Sequence, residues 1–461
     1  MKRLRKIETI KKVFVTLIIS ILLMPSFELT AKAEANPNPT WYVGERVIRH
    51  GEAKPYDYYG AKDPTIVYYN GKYHVFYTGA NQSGGWQMLY TSASTIDGLK
   101  NAPRTYMKAI GESYFCAPQV FYFEPHKLWY LVYQDGTYGA AYATTTNIDD
   151  PNSWSGPKSF GISGNMGWDY FIICDDSYAY MYNTPSDGSG RLYMRKTSLA
   201  NFPRGWGSPT VAITDTFEGA NVYKSLADGK YYLTIEDMKD GRYYELWTSN
   251  SAGGPWTKVS EKWAHRGNLS YKADPWTTNV SHGEIIRAGY NQKMEINDIN
   301  KVDFLIQGTT NLSGEYQQIN WDLGVIKNYS DGSGNQPQPG NGTKVECEDM
   351  NLSGPYAGKI SSPFNGVALY ANDDSCGYTQ YFAYGTHNFS IRACANNSNT
   401  ATVMLKIGGV NKGTFYITGT TPTVYTLNNV THGTGLQDVQ LVLVGDIGQW
   451  DAYVDYLLIT Q

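Results

Sequence analysis

The chain has 461 residues, 41% of them hydrophobic, 14% aromatic with Tyr alone at 39, and only 17% charged. That is enough apolar material for two or three cores, and the aromatic, charge-poor composition excludes disordered, coiled-coil and solvated-helix classes. With 38 Lys plus Arg against 42 Asp plus Glu, the net charge of -4 argues against a nucleic-acid partner.

The N-terminus carries Lys2, Arg3, Arg5, Lys6, Lys11 and Lys12, then the apolar run Val13 to Met24, then Ala31-Lys32-Ala33. This reads as a secretory signal peptide spanning 1–33, and the run is shorter than the ~20 residues of a membrane span. The expected protein is secreted and extracellular, with no membrane partner. Losing the basic leader makes the mature chain more acidic.

From residue 34 to 329 the signal is strand and turn. Ile66 to Tyr69 and Lys72 to Tyr77 flank Asn70-Gly71, a type I′ hairpin pattern. Val120 to Phe123 with Leu128 to Tyr133, and Asn221 to Tyr223 with Lys230 to Ile235, repeat the theme at the spacing of propeller blades. Periodicity alone allows four, five or six blades. Residues 330–343 are Gly, Pro, Ser and Asn-rich and read as a linker. From 344 to 461, alternation in Thr402 to Ile407, Gly413 to Ile417, Val439 to Val444 and Ala452 to Leu457 predicts a β-sandwich of jelly-roll type, so the whole chain is all-β.

Of five cysteines, Cys116 and Cys174 sit in apolar runs and read as buried thiols. Cys376 and Cys394 lie either side of Gly385 in what reads as a hairpin, where a simple register would allow a cross-strand disulfide and a slipped one would not.

Three acids stand where a solvated surface does not explain them. Asp63, in Lys62-Asp63-Pro64-Thr65, precedes the first hairpin strand; Asp169 is wedged between Trp168 and Tyr170 before an apolar run; Glu218 follows Phe217 just before a strand. Paired carboxyl groups break glycosidic bonds, one protonating the leaving oxygen and the other activating water or attacking. In the sandwich, Glu346 and Glu348 fall on one face of a predicted opening strand, and Asp446, Asp451 and Asp455 crowd the C-terminal end. Oxygen-rich clusters of this kind suit calcium, although a solvated acidic rim has the same composition.

The words around these acids resemble known families. Tyr114 to Gln134 (YFCAPQVFYFEPHKLWYLVYQ), Lys62 to Tyr69 (KDPTIVYY), Ile173 to Asp176 (ICDD), Phe217 to Lys224 (FEGANVYK) and Ser281 to Glu284 (SHGE) resemble glycoside hydrolase family 62 over about Trp41 to Ile326. The resemblance implies a five-bladed β-propeller α-L-arabinofuranosidase, with Asp63 as general base, Asp169 tuning the acid and orienting substrate, and Glu218 as general acid of an inverting mechanism. It further implies Lys62, Tyr290 and Asn291 as sugar contacts, and His282 beside a hydrated calcium under the pocket floor. Trp86 is read either as a sugar-stacking residue or as a packed core Trp. Val345 to Met350 (VECEDM), Tyr356 to Ser361 (YAGKIS), Gly366 to Asn372 (GVALYAN) and Gln449 to Asp455 (QWDAYVD) resemble carbohydrate-binding module family 36. That family implies xylan binding through calcium: Asp446, the Trp450 carbonyl and Asp451 around an ion that sugar hydroxyls complete; Glu346, Glu348 and Asp455 around a structural one; and Tyr356, Tyr370 and Trp450 as apolar surface. The combined expectation is a monomeric enzyme releasing arabinofuranosyl branches from arabinoxylan while held on xylan. An arabinanase or xylosidase of the related family 43 propellers, and a non-catalytic xylan-binding protein, are the alternatives.

Overall fold

The computed structural model describes residues 34–112, 114–162, 167–271, 275–329, 343–382, 385–433, 435–445 and 451–460. The expected leader, nearly all of the linker, and the two calcium-site candidates Asp446 and Trp450 therefore lie outside the described residues. No helix among the described residues is long and apolar enough to cross a membrane.

Residues 41–327 form five sheets of four or five strands. The first runs Gly60–Tyr69, Lys72–Ala80, Trp86–Ala93 and Thr105–Tyr106, and its opening hairpin turns at Asn70 (φ 48°) and Gly71 (φ 79°), the left-handed pair that the Asn-Gly signal calls for. The strands Gly60–Tyr69, Phe115–Phe123, Trp168–Cys174, Glu218–Ser225 and Asn279–Ile285 each start or nearly start a sheet, and they contact one another in a closed ring. This is a propeller. The ring is closed by sequence ends: the N-terminal strand Trp41–Ile48 pairs antiparallel with Asp322–Lys327, so the last sheet takes strands from both termini of the domain. Trp41 anchors the seam by donating its indole N–H to the Trp263 carbonyl at 2.6 Å.

Four of the inner strands share one irregularity. Between Lys62 and Thr65, Cys116 and Gln119, Trp168 and Phe171, and Glu218 and Asn221, two residues oppose one on the partner strand. Each bulge places a residue in left-handed backbone: Asp63 (φ 45°), Ala117 (φ 50°), Asp169 (φ 57°) and Gly219 (φ 70°). Bulges end regular pairing and re-aim side chains, which is why they gather beside active sites.

Along the axis the inner strands are tied by polar groups rather than by apolar packing alone. Glu284 and Arg287, both 2% exposed, pair at 2.7 Å. The Thr65 hydroxyl donates to Glu284, and Arg287 Nη2 donates to the carbonyls of Ile66 (3.1 Å) and Val120 (2.7 Å). Gln119 clasps Ile172 through both its side-chain oxygen and nitrogen, each at 2.7 Å.

The C-terminal region is a sandwich. One sheet orders Gly358–Ile360, Gly366–Leu369, Ala452–Thr460, Thr386–Ala395 and Thr423–Thr431, with Thr343–Glu346 also on Ala452–Thr460; the other orders Asn351–Ser353, Ser375–Phe382, Gly435–Leu443, Thr400–Ile407 and Val410–Thr418. Alternation places Ala401, Val403, Leu405 and Ile407 inward against Phe389, Ile391 and Leu457. Two expectations are corrected here. Cys376 and Cys394 lie in different sheets, because the strand holding Cys376 pairs with Gly435–Leu443 and that holding Cys394 pairs with Thr423–Thr431 and Ala452–Thr460; both thiols are free and buried. The opening strand also stops at Glu346, and Glu348 sits in the 3-10 turn Cys347–Asp349, so strand alternation does not relate them.

The axial pair is the most exposed to a single change. Replacing one partner of a buried ion pair leaves the other charge uncompensated, so Arg287→Leu should destabilise the propeller by about 3–5 kcal/mol. The denaturant midpoint of the tryptophan fluorescence transition measures this, and an unshifted midpoint would show the axis to be held without Arg287.

Candidate active site

The bulges bring Asp63, Asp169 and Glu218 to one end of the ring. His282, on the fifth inner strand, links two of them: its Nδ1 is 3.6 Å from Asp63 Oδ1 and 3.9 Å from Asp169 Oδ2. Asp169 reaches the third, since its Oδ2 accepts the backbone N–H of Gly219, next to Glu218, at 3.1 Å. Both oxygens of Glu218 are held, Oε2 by the Trp168 indole N–H at 3.0 Å and Oε1 by Arg242 Nη1 at 2.9 Å.

The surroundings of the acids differ. Burial alone would push the Asp63 carboxyl up, but Lys62, then His282, a hydrogen bond with Thr78, and Arg242 hold it below the ordinary carboxylate range. Asp169 goes the other way: burial first, then the charges of Glu218 and Asp63, push it well above that range. Asp63 is thus the carboxylate and Asp169 the group that favours its proton.

Lys62 forms one wall. Its Nζ lies 3.7 Å from Asp63 Oδ1 and 2.9 Å from the Tyr316 hydroxyl, and it sits 4.3 Å from the Trp86 ring centroid and 4.5 Å from that of Tyr316. Burial works against this ammonium, yet Asp63 and Tyr316 hold its pKa above the usual lysine value. Trp86 is half-buried and edge-on to Tyr316 with centroids 6.0 Å apart, so it lines the site and is not core.

Tyr290 and Asn291 are not at this end. Tyr290 packs against Tyr69, Tyr122 and Trp129, and Asn291 bridges to Tyr122 and donates to Glu124 at 3.1 Å. Tyr69 ends the strand that Lys62 and Asp63 begin, and six or seven residues of strand span ~20 Å. The pair belongs to the opposite rim.

Sequence reasoning missed Arg242, Glu236 and Tyr316. Glu236 is fully buried and accepts from Ser281 Oγ (2.7 Å), the His282 N–H (2.7 Å) and Arg242 Nη1 (3.2 Å). Burial raises its carboxyl to about 7 against the opposing pull of Arg242. Arg242 lies in a polar turn and Tyr316 opens the short 3-10 turn Tyr316–Gln318, and neither has a local pattern that marks it.

His282 does not sit in a metal-binding cluster among the described residues. Its ring stands between Asp63 and Asp169, and the cavity it helps to line with Pro64, Gln119, Asn221 and Glu284 measures ≈ 10 Å³, room for about one water. The described group of acids that do converge, Asp237, Glu245 and Glu261, lies elsewhere and carries Lys239 and Lys258.

In the sandwich, Glu348 has a buried carboxylate oxygen with no hydrogen-bond partner, while Glu346 holds Lys344 at 2.6 Å and Asp455 pairs with Arg392. Asp451 accepts from the Asn396 side chain.

Residues 51–327 match the model of Glycosyl hydrolase family 62. The chain is 36% identical over 279 residues to Alpha-L-arabinofuranosidase C of Cellvibrio japonicus (strain Ueda107), an overlap of 58% of this chain and 44% of that protein. It spans less than half the length of the curated relatives it matches. The catalytic domain of a Coprinopsis cinerea GH62 alpha-L-arabinofuranosidase superposes with a TM-score of 0.59 at 33% identity, covering 63% of this chain and 97% of that one. The C-terminal region is 58% identical to a carbohydrate-binding module, CBM36, in complex with calcium and xylotriose, covering 26% of this chain and 99% of that one with a TM-score of 0.25.

The raised carboxyl of Asp169 has a consequence for stability. Its contribution to folding is fully present below the unfolded carboxylate pKa of ~3.9 and is lost as pH rises through the raised folded value. Asp169→Asn keeps an oxygen for the Gly219 N–H but carries no charge, so the variant should melt at a higher temperature than the parent at pH 7. The gap should close toward pH 4, and calorimetry at the two pH values checks both signs.

Proposed function

Because the chain belongs to glycosyl hydrolase family 62, we propose that residues 34–329 act as a secreted exo-α-L-arabinofuranosidase on arabinoxylan, and that residues 344–461 hold the enzyme on xylan. The observation that carries the catalytic reading is the divided electrostatics of one cluster: Asp63 drawn toward its ionised form by Lys62 and His282, Asp169 pushed toward its protonated form by burial and the neighbouring acids, and Glu218 gripped by Trp168 and Arg242.

In this reading Glu218 gives its proton to the glycosidic oxygen as the bond to the anomeric carbon breaks. Asp63 takes a proton from the water that attacks the opposite face, so the configuration inverts in a single displacement and no sugar is bonded to the enzyme. Asp169 contributes through Gly219, fixing the backbone that carries Glu218. Lys62, Trp86 and Tyr316 supply a cation and two aromatic faces at the pocket wall, the combination that packs against sugar rings while bonding their hydroxyls.

For the module, the chemistry of the donors supports calcium. A buried carboxylate oxygen without a protein donor, as at Glu348, is costly unless a cation takes it. Glu346, Glu348 and Asp455 would hold a structural ion, and Asp446, the Trp450 carbonyl and Asp451 a second one whose shell sugar hydroxyls complete. Calcium supplies an oxygen-seeking charge that such hydroxyls can ligate directly.

Two experiments test the halves separately. Glu218→Gln keeps shape and removes the transferable proton, so arabinose release from arabinoxylan should fall by ~10²- to 10⁴-fold in a variant that circular dichroism shows to be folded at the assay temperature. A proton NMR time course of arabinoxylan digestion by the parent enzyme should show the β-anomer of arabinose first; first-formed α-arabinose would make Asp63 a nucleophile instead. Asp451→Ala should abolish retention on insoluble xylan while hydrolysis of short soluble arabinoxylo-oligosaccharides stays near parental rates. Undiminished retention would transfer recognition from calcium to the aromatic residues.

A further inference from the structure

The two candidate sugar-facing tyrosines of the sandwich, Tyr356 and Tyr370, are exposed by 65% and 39% and lie in irregular loops, Tyr356 between the strands Asn351–Ser353 and Gly358–Ile360 and Tyr370 just after Gly366–Leu369. Nothing in loops of this kind orients two rings with respect to each other unless their backbones are tied. One side chain ties both. Asp374 is 0% exposed, its Oδ1 accepts the Tyr356 N–H at 3.2 Å, and its Oδ2 accepts those of Tyr370 at 3.0 Å and Ala371 at 3.1 Å.

We propose that Asp374 is the positioning residue of the module's xylan platform, holding Tyr356 and Tyr370 at a fixed separation so that both rings meet successive sugars of one β-1,4-linked xylose chain. The inference rests on the xylan-binding reading given above and extends it to a residue that never meets the ligand.

Three features support it. Among the described residues no cation pairs with Asp374, so a fully buried carboxylate is retained for its backbone N–H bonds alone. Such burial is costly, and charge-assisted bonds to several N–H groups are what offset it. The carboxylate is also locked from behind: its own N–H donates to the Ala371 carbonyl at 3.0 Å, and its carbonyl accepts the Leu443 N–H at 2.9 Å, which fixes the turn to the neighbouring sheet. Finally, the Tyr356 loop is shaped to fit. Gly354 has φ 108°, and a Cβ there would overlap Asp374 Oδ1. Tyr370 is in addition edge-on to Tyr453, with centroids 6.3 Å apart and planes at 79°, and Tyr453 lies two residues from Asp451. The clasp therefore joins the tyrosines to the segment that carries the proposed calcium ligand.

An aspartate is needed because both of its oxygens accept; an asparagine offers one acceptor and turns its NH₂ against the remaining N–H groups. Full-length Asp374→Asn should bind xylohexaose at least ten-fold more weakly by titration calorimetry in saturating calcium. It should keep the rise in melting temperature that calcium produces in the parent, a readout that general loosening of the module would remove. In a Tyr356→Ala, Tyr370→Ala background the same substitution should change affinity by less than two-fold, since there is nothing left to position. Should Asp374→Asn not fold, Gly354→Ala keeps the carboxylate and crowds it away from the Tyr356 amide, and must give the same selective loss. Parental affinity in Asp374→Asn, or losses that simply add to those of the tyrosines, would overturn the proposal. A parent chain that does not bind xylohexaose would instead overturn the xylan-binding reading itself, and the clasp with it.

Discussion

The mouth of the propeller depends on one backbone irregularity repeated around the ring. Four inner strands insert an extra residue close to their starts, and the left-handed residue of each bulge is turned out of the ladder toward the axis. The freed amides do not go unpaired: Asp63 N–H finds Gln307 (2.8 Å), Ala117 N–H finds Thr78 (2.9 Å) and Gly219 N–H finds Asp169 (3.1 Å). Each bond leads from a bulge to a side chain of a different sheet, so the distortion that aims the acids also stitches the sheets together. Non-glycine residues at positive φ carry strain, and two of the three here are the carboxylates Asp63 and Asp169.

That arrangement crowds charge. Asp63, Asp169, Glu218 and Glu236 share Lys62 and Arg242 as their fixed cations, with His282 between two of the acids. In a buried cluster four carboxylates cannot all be ionised against two cations. The imbalance is resolved by position: the acid beside Lys62 is drawn toward its ionised form, while Asp169 and Glu236, buried beside other acids, retain protons more readily. Arg242 bonds Glu218 and Glu236 through the same nitrogen, so the protonation of the buried glutamate is felt by the one at the pocket surface.

The sandwich solves a different problem with similar means. Its sheets meet through an alternating apolar core, which leaves recognition to loops and to strand ends. Loops are poor platforms unless anchored, and here the anchors are polar: Asp374 beneath the tyrosines, and Asn396 against Asp451. In both halves of the molecule a buried acid accepts backbone N–H groups, one at Asp169 and three at Asp374, and so trades desolvation for fixed geometry.

The division between what was legible in the chain and what was not follows from the range of the forces involved. Local signals were reliable: Asn70-Gly71 is the turn it reads as, Thr402 to Ile407 alternates as its pattern says, and the acids at 63, 169 and 218 come together at one end of the ring. Turn chemistry and side-chain alternation act over a few residues, so sequence records them. Tyr290 and Asn291 went wrong because nothing in their neighbourhood tells which rim of the ring a loop reaches; that is decided by strand direction in the sheets around them. The hairpin read between Cys376 and Cys394 does not form, because symmetry about a glycine describes a local pairing whereas these strands find partners far along the chain. Arg242, Glu236, Tyr316 and Asp374 were invisible for the same reason. Their partners stand 3 to 254 residues away, and those that matter most, such as Lys62 for Tyr316 and Tyr356 for Asp374, meet them only when the chain folds back on itself. The sequence by itself therefore determined strands, turns and the acids that gather at the mouth of the ring; tertiary structure alone decided which charges face one another, and hence which of those acids is pushed toward its protonated form.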